Sequence, residues 1–381
     1  MSSSRRHRPS RSNIMFTNAV YFPNYALYNG DTPAQLNYSC ISLVYYAYAR
    51  VTEAGHIMVS PSDHLSSTTT PGYINHDFHF QLGDEWTDAN VPCDGARGAL
   101  GSLLHLKQQH PHLQVVLSVG GTAFSAIYAS VAASPVLRDN FARSALGLIE
   151  ASGLDGIDIN WAYPTDPHQA ADFVALLAQV RMHFGEDRYY LTASLPGGIG
   201  ELSMFDLQQV ADCVDLINLA AYDFYGPWSA RCGHHAQLYA VGKDEPSGAS
   251  SVQYLMANGV PAKKILLGIP LYGRSFVGPH ATGPGHKFVN VTEDASDSTF
   301  EYRDLPRPAT RENVDKRVVA AQCVGGDGGF VSYDNPDTVR IKAAFCKQKS
   351  LGGLFYWGAP FDSKDSKRSL IAAGFRTLHG S

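Results

Sequence analysis

The sequence predicts a closed parallel barrel of eight β-strands surrounded by helices, the (β/α)8 or TIM barrel. Eight short apolar runs recur along the chain, and helical patterns with one apolar face stand between several of them. A chain of 381 residues that is 44% apolar can bury one such barrel, which needs about 250 residues, together with a small insertion. The strands are predicted at 18–22, 41–48, 114–119, 156–164, 190–195, 216–220, 265–269 and 352–357.

The fourth predicted strand has two chemically different faces. Small or polar residues alternate there with large apolar ones, Asp158, Asn160 and Ala162 against Ile157, Ile159 and Trp161. A period of two is typical of a strand, so we expect the first three side chains to point into the barrel. Because burying polar groups without partners is costly, this inward row is a candidate site rather than a core.

The outer layer is predicted from helical periodicity. A helix is expected at 98–109, and two further helices show apolar faces, formed by Phe141, Ala145, Leu148 and Ile149 and by Phe173, Leu176, Leu177 and Val180. Stripes of this kind predict core packing and no ligand site. Near the end of the chain, Asn335 followed by Pro336 predicts the N-cap and first residue of a helix.

Three segments differ from the regular pattern. Residues 1–15 are predicted to be a disordered basic tail, and 16–381 the barrel domain. The segment 277–330, where periodicity fades and Gly and Pro are frequent, is predicted to be a small inserted subdomain between the seventh and eighth strands. The long segment 51–91 carries a polar cluster, His76, Asp77 and His79, which we interpret as a solvated loop because no partner has metal-ligand spacing.

Charge and composition exclude several classes of function. A net charge of −5 provides no basic field for nucleic acid or an anionic membrane, and no apolar run approaches the length of a membrane span. The basic start of the chain lacks the apolar stretch of a secretory signal, and the six cysteines have no close-spaced framework. We therefore expect an intracellular protein with free thiols, no metal and no cofactor.

The fourth strand resembles the signature of family 18 glycoside hydrolases, the chitinases, and the chain has the appearance of their fungal intracellular type. That signature reads Asp-x-x-Asp-x-Asp-x-Glu followed by Tyr-Pro, and Asp155, Asp158, Tyr163 and Pro164 match it, as does Trp161. Two positions depart from it: Asn160 stands at the third aspartate, and Ala162 at the glutamate that acts as general acid in the family.

Other segments extend the resemblance over about residues 20 to 371. Ser118-Val119-Gly120-Gly121 resembles the family's Ser-x-Gly-Gly, 221–228 resembles the segment around its Tyr-Asp pair, and 270–276 matches the sequence after its seventh strand. The resemblance implies a cleft in which the acetamide of an N-acetyl sugar assists its own cleavage, one of the exceptions to the two-carboxylate scheme. Tyr222 would then bond the acetamide oxygen, Asp223 would contact the sugar, and Trp357 would lie under the reacting ring.

The resemblance assigns residues to two groups. The catalytic positions are Asp158, Asn160, Ala162, Tyr222 and Asp223, and the substrate-binding positions are Tyr21, Ser118, Trp161, Tyr163, Tyr272, Arg274 and Trp357. The expected ligand is a chito-oligosaccharide or another small molecule in the barrel mouth.

The two departures affect the same chemical step. A positioned general acid contributes about 10²–10⁴-fold, and an alanine has no proton to give, so we expect this endo-chitinase-type scaffold to hydrolyse chitin poorly or not at all. Three interpretations remain: a natural chitinase-like protein that binds without cleaving, an active chitinase inactivated by engineered Asp→Asn and Glu→Ala changes, and a barrel turned to a non-sugar metabolite. Further departures at Tyr25, Thr122, Ala220 and Gly358 favour natural divergence over engineering.

Overall fold

The computed structural model describes residues 16–58, 86–122, 125–185, 188–289 and 298–380. The predicted tail 1–15 and the polar cluster His76, Asp77 and His79 lie outside the described residues. Within those ranges the chain forms a barrel sheet, an inserted sheet and a layer of outer helices.

The described strands and helices follow each other in a repeating order. In chain order the strands are β1 (Thr17–Pro23), β2 (Leu43–Val51), β3 (Ile57–Met58), β4 (Pro92–Cys93), β5 (Ala96–Arg97), β6 (Gln114–Gly120), β7 (Gly156–Asn160), β8 (Tyr190–Pro196), β9 (Leu216–Ala220), β10 (Ile265–Pro270), β11 (Tyr272–Phe276), β12 (Thr299–Glu301), β13 (Asn313–Asp315), β14 (Ala320–Val324), β15 (Phe330–Tyr333) and β16 (Gly353–Trp357). The α-helices are α1 (Gly98–Gln109), α2 (Ser125–Ala133), α3 (Pro135–Ser152), α4 (Pro167–Phe184), α5 (Ile199–Leu202), α6 (Leu207–Cys213), α7 (Gly248–Ala257), α8 (Pro336–Lys349) and α9 (Leu370–His379).

The predicted (β/α)8 barrel is confirmed. Strands β1, β2, β6, β7, β8, β9, β10 and β16 pair in parallel, and the pairing of β1 with both β2 and β16 closes the sheet on itself. The carboxyl ends of all the barrel strands therefore meet at one mouth, where such barrels carry their functional groups.

The outer helices pack as their periodicity predicts, and their ends are capped by local sequence. Phe141, Ala145 and Ile149 of α3 are buried against the barrel. Helix α8 begins as predicted: Asn335 is its N-cap and Pro336 its first residue, with the Asn335 side chain accepting from Thr338 N at 3.0 Å. Among the described residues no helix combines the length and the apolar character that crossing a bilayer requires.

The insertion between β10 and β16 is an antiparallel sheet of five strands in the order β12-β11-β15-β14-β13. It is wider at both ends than the predicted 277–330, because it begins with β11 at Tyr272 and ends with β15 at Tyr333. Strands β11 and β15, the first and the last of the insertion along the chain, pair with each other inside this sheet, and in sequence they look like flanks of the barrel. The difference is important because β11 carries two of the predicted site residues.

A buried ion pair joins the end of the inserted sheet to α8. Lys342 Nζ lies 2.6 Å from Asp334 Oδ2, and both side chains are almost fully buried. Lys342 also donates to the Ala236 carbonyl, and Asp334 Oδ1 accepts from Thr338 Oγ1 at 2.7 Å. This pair therefore ties α8, the insertion and the loop after β9 together.

Candidate functional site

The fourth barrel strand, β7, places its polar residues inside the barrel as the alternation predicts. Ile157 and Ile159 pack in the main hydrophobic core. Asp158 is fully buried on the opposite face, and Asn160 lies above it with 7% of its surface exposed. Ala162 follows two residues after the end of the strand and is half-buried.

Asp158 is held by four hydrogen-bond donors. Its Oδ2 accepts from Tyr21 at 2.9 Å and from Ser118 at 2.6 Å. Its Oδ1 accepts from Thr192 at 2.7 Å and from Asn218 at 3.2 Å. Burial raises the pKa of Asp158, against the opposing effect of these donors. The carboxylate is thus an anchored acceptor at the base of the cleft.

Two of the predicted substrate-binding residues, Tyr21 and Ser118, hold Asp158 in place in this network. The Tyr21 hydroxyl and the Ser118 hydroxyl are both buried, and both point at Asp158. The network also contains Thr192 and Asn218, which the sequence analysis missed. Asn218 is the single polar residue of an otherwise apolar strand, and that is the signal that could have found it. Thr192 shares its strand with Ser194 and is not marked in the same way.

Asp223 is the centre of a second, more exposed cluster. It adopts a left-handed backbone conformation, with φ 59°, just beyond β9. Its Oδ1 accepts from Tyr272 Oη at 2.8 Å and from Arg274 Nε at 2.7 Å. His235 Nδ1, from the loop after β9, lies 3.5 Å from the same oxygen. Tyr272 and Arg274 belong to β11, so the inserted sheet supplies part of the site.

The charges in this cluster compensate each other. Burial alone would raise the pKa of Asp223, but His235 and the Arg274 guanidinium outweigh it and hold that pKa well below its usual range. The pKa of Arg274 is raised, because Tyr272 and Asp223 outweigh the effect of its own burial. Asp223 is therefore ionised at neutral pH and already paired.

Two predicted tyrosines, Tyr163 and Tyr222, lie close to each other and to Asp223. Burial raises the pKa of Tyr163 and that of Tyr222, and the negative charge of Asp223 adds to both shifts. Tyr222 packs edge-on against Tyr272, with 6.3 Å between ring centroids. Both hydroxyls are neutral at physiological pH and carry a proton that can be donated to a ligand.

Trp357, at the end of β16, belongs to an aromatic layer inside the barrel. Its ring stacks on Tyr48 with centroids 5.6 Å apart and contacts Tyr21 at 5.2 Å. The indole is partly exposed, so it can present a flat apolar surface to a ligand. Tyr48 is a further residue that the sequence analysis did not assign to the site.

Trp161 does not lie in the cleft, in contrast to its predicted place among the substrate-binding residues. It is 1% exposed, stacks on Tyr128 at 5.7 Å and meets Phe173 edge-on at 6.1 Å. Period-two alternation directs it to the helix layer together with Ile157 and Ile159. Its role in this structure is core packing.

The rim of the cleft carries two further groups that the sequence analysis did not assign. Trp228 is 56% exposed, and the Arg274 guanidinium lies over its ring at 4.8 Å. Glu201 follows the fifth barrel strand, β8, and its charge contributes to the raised pKa of Tyr163. Within the described ranges no cluster of three or more His, Cys, Asp or Glu side chains has the arrangement of a metal site.

Two buried histidines beside the Asp223 cluster predict a pH-dependent stability. Burial lowers the pKa of His234 from 6.5 to about 4 and also lowers the pKa of His235. As the pH falls, the histidines of the unfolded chain are protonated before the buried ones of the folded chain. The contribution of the buried neutral histidines to the free energy of unfolding is therefore fully present above pH 6.5 and is lost as the pH falls toward 4. We expect the free energy of unfolding to fall between about pH 6.5 and 5 by about 1.4 kcal/mol per pH unit for each fully shifted histidine.

Denaturant unfolding of the chain and of His234→Gln across that pH range checks this expectation. The variant should show a shallower pH slope than the parent, since one of the buried histidines no longer titrates. Identical slopes for the two proteins would contradict it.

Comparison with known proteins places this geometry in a family. The family model described as glycosyl hydrolases family 18 matches residues 17–362. Chitinase 1 of Aphanocladium album is 32% identical, over 95% of this chain and 85% of its own length. Endochitinase 1 of Metarhizium robertsii is 31% identical, over 96% of this chain and 86% of its own length.

Solved structures agree at the level of the fold. A mutant of the class V chitinase of Nicotiana tobaccum, in complex with NAG4, superposes with a TM-score of 0.76 at 24% identity. The alignment covers 95% of this chain and 98% of that one. The match of the family model and the identity to the two fungal chitinases lead to one conclusion: the chain belongs to family 18 of the glycosyl hydrolases.

Proposed function

We propose that this chain is a chitinase-like protein that binds chito-oligosaccharide, or a closely related N-acetylated ligand, with little or no glycosidase activity. The observation that carries the proposal is that the cleft has groups suited to binding a sugar but lacks the general acid of the family. Aromatic and hydrogen-bonding groups line it, while Ala162 places only a methyl group where the family signature has its glutamate.

Neither Asp158 nor Asp223 is suited to replace that acid. Asp158 is fully buried, and each of its oxygens already accepts two hydrogen bonds. Asp223 is kept ionised and is engaged by Tyr272 and Arg274. A general acid must hold a proton within reach of the leaving oxygen. Asp223 holds no such proton at neutral pH, and Asp158 is enclosed by its four donors at the base of the cleft.

Binding has better support than cleavage. The indole of Trp357 suits the apolar C–H face of a pyranose, and the Tyr163 and Tyr222 hydroxyls are neutral donors. The related chitinase in complex with NAG4 shares the fold, which supports a sugar in the mouth of this barrel.

Calorimetric titration with tetra-N-acetylchitotetraose tests the proposal. We expect saturable binding below millimolar ligand, with no release of shorter sugars from the mixture. Trp357→Ala should weaken binding by about tenfold or more, because the stacking surface is lost. Tyr239→Ala is the control: Tyr239 packs against Phe345 on the outside of the barrel.

The outcomes separate the alternatives. Absence of binding at millimolar ligand, with the protein folded, would contradict the proposal and direct attention to non-sugar metabolites. Release of shorter sugars at rates typical of chitinases would contradict the predicted lack of activity.

A further inference from the structure

Tyr48 occupies an unusual position on the second barrel strand, β2. Side chains on this strand alternate: Tyr45 and Ala47 face the barrel interior, and Tyr46 and Ala49 face the helix layer. Strict alternation would send Tyr48 outward. The pairing of β2 with β6 shifts register between Ala47 and Ala49, and this bulge turns Tyr48 into the barrel beside Ala47.

The ring of Tyr48 is fixed from two sides. One face stacks on Trp357, and Gly121 approaches so closely that a Cβ there would lie 2.8 Å from Tyr48 Cε2. Gly121 also has φ +85°, a conformation that favours glycine, and its N–H donates to the Asn160 carbonyl at 2.8 Å. The bulge, the indole and the glycine together fix the Tyr48 hydroxyl beside Asn160.

The hydrogen bond between these two side chains has a defined direction. Asn160 Nδ2 donates to Tyr48 Oη at 3.1 Å. A phenol oxygen that accepts this bond keeps its own proton for another acceptor. Among the described residues the structure shows no acceptor for that proton. The Tyr48 ring itself stacks on Trp357.

An aspartate at position 160 would reverse this direction. A carboxylate only accepts, so the Tyr48 hydroxyl would donate its hydrogen bond to residue 160, and the pair would offer a ligand only acceptors. With Asn160 the pair is uncharged and offers two donors, the Tyr48 hydroxyl and the second Nδ2 hydrogen of Asn160, together with one acceptor, the Asn160 side-chain oxygen. That combination complements a neutral amide or a sugar hydroxyl and does not favour an ammonium group.

We propose that Tyr48 is a specificity-determining residue of the cleft. It holds the amide of Asn160 and donates its own hydroxyl proton to an oxygen of a neutral N-acetylated sugar lying on Trp357. The proposal rests on the proposed function, binding of chito-oligosaccharide, and adds an expectation to it: the hydrogen bond from Tyr48 should make this cleft bind the acetylated sugar more tightly than the deacetylated one.

A double-mutant cycle on the full chain tests the proposal. Tyr48→Phe, Asn160→Asp and the double variant are titrated calorimetrically with tetra-N-acetylchitotetraose and with the corresponding glucosamine tetramer. Tyr46→Phe is the matched control, because it removes a hydroxyl from the same strand on the face toward the helices, where it bonds Asp88. Circular dichroism and thermal unfolding verify that each variant is folded.

The expected results are specific to the direction of the hydrogen bond. Tyr48→Phe should weaken binding of the acetylated tetramer about tenfold when residue 160 is Asn, and by no more than about threefold when it is Asp. Asn160→Asp should narrow the preference for the acetylated tetramer, since a carboxylate attracts the ammonium groups of the other ligand. A purely structural role for Tyr48 would not produce this coupling.

Other outcomes overturn the proposal in distinguishable ways. If Tyr48→Phe binds like the parent, Tyr48 has no part in recognition and the proposed function stands. An equal loss from Tyr48→Phe in the parent and in the Asn160→Asp background would show that the direction of the hydrogen bond is irrelevant. If the parent itself binds neither tetramer, the proposed function fails, and the role of Tyr48 fails with it.

Discussion

The double change Asn160→Asp with Ala162→Glu is expected to raise the rate of chito-oligosaccharide hydrolysis by about 10²- to 10⁴-fold, the usual contribution of a positioned general acid. Ala162 lies past the end of β7 and is half-buried, so a longer side chain there can extend into the cleft. The Tyr48 hydroxyl lies beside residue 160 and can donate to a carboxylate at that position.

Release of shorter sugars, followed by chromatography, measures the gain. The two single changes separate the contributions, and we expect Ala162→Glu alone to recover part of the rate, because it restores the proton donor. Thermal unfolding of each variant is the control for folding. A double variant that is folded and binds the tetramer, yet cleaves no faster than the parent, would contradict the proposal that the missing acid limits hydrolysis in this chain.

Lys342→Met is expected to reduce the free energy of unfolding by about 3–5 kcal/mol, because it leaves the Asp334 carboxylate buried without its partner. The side chains of both residues are at most 2% exposed in the folded protein. The pair also connects α8 to the loop after β9 through the Ala236 carbonyl, so we expect its loss to lower the stability of the whole barrel.

Denaturant unfolding of three variants checks this expectation. Arg340→Met, on the same helix, removes an exposed ion pair with Asp337 and should cost less than about 1 kcal/mol. The double variant Lys342→Met with Asp334→Asn should be more stable than Lys342→Met alone, since no buried charge is left unpaired. Equal stability of Lys342→Met and Arg340→Met would contradict the assignment of a buried pair.

The strand order of the barrel and the inward face of β7 were predictable because both follow from local periodicity. Asp158 was identified as a site candidate from its place in a period-two strand, and it does point inward. Asn335 and Pro336 were assigned to the start of α8 from their cap preferences alone. Such features depend on residues that are neighbours in the chain.

The partners of Asp158 were not all predictable, because they are neighbours only once the barrel has closed. Thr192 and Asn218 come from two other strands and have no local pattern that connects them to β7. Tyr48 was missed for a different reason: one extra residue in β2 reverses the alternation, and a bulge leaves no mark in the composition of a strand.

Trp161 illustrates how resemblance and periodicity can disagree. Its place in a signature motif suggested a ligand contact, while the alternation of β7 already placed it with Ile157 and Ile159 on the outer face. The structure follows the alternation.

The way β7 ends has a consequence for how such a protein can change over generations. Position 162 lies beyond the last residue of the strand and outside its pairing with β6 and β8, so a substitution there removes no sheet hydrogen bond. The paired residues of β7 therefore serve folding, whereas position 162, two residues beyond them, affects the chemistry of the cleft. A change of one codon at position 162 can therefore weaken or partly restore catalysis in a lineage without breaking the pairing of β7 with its neighbours.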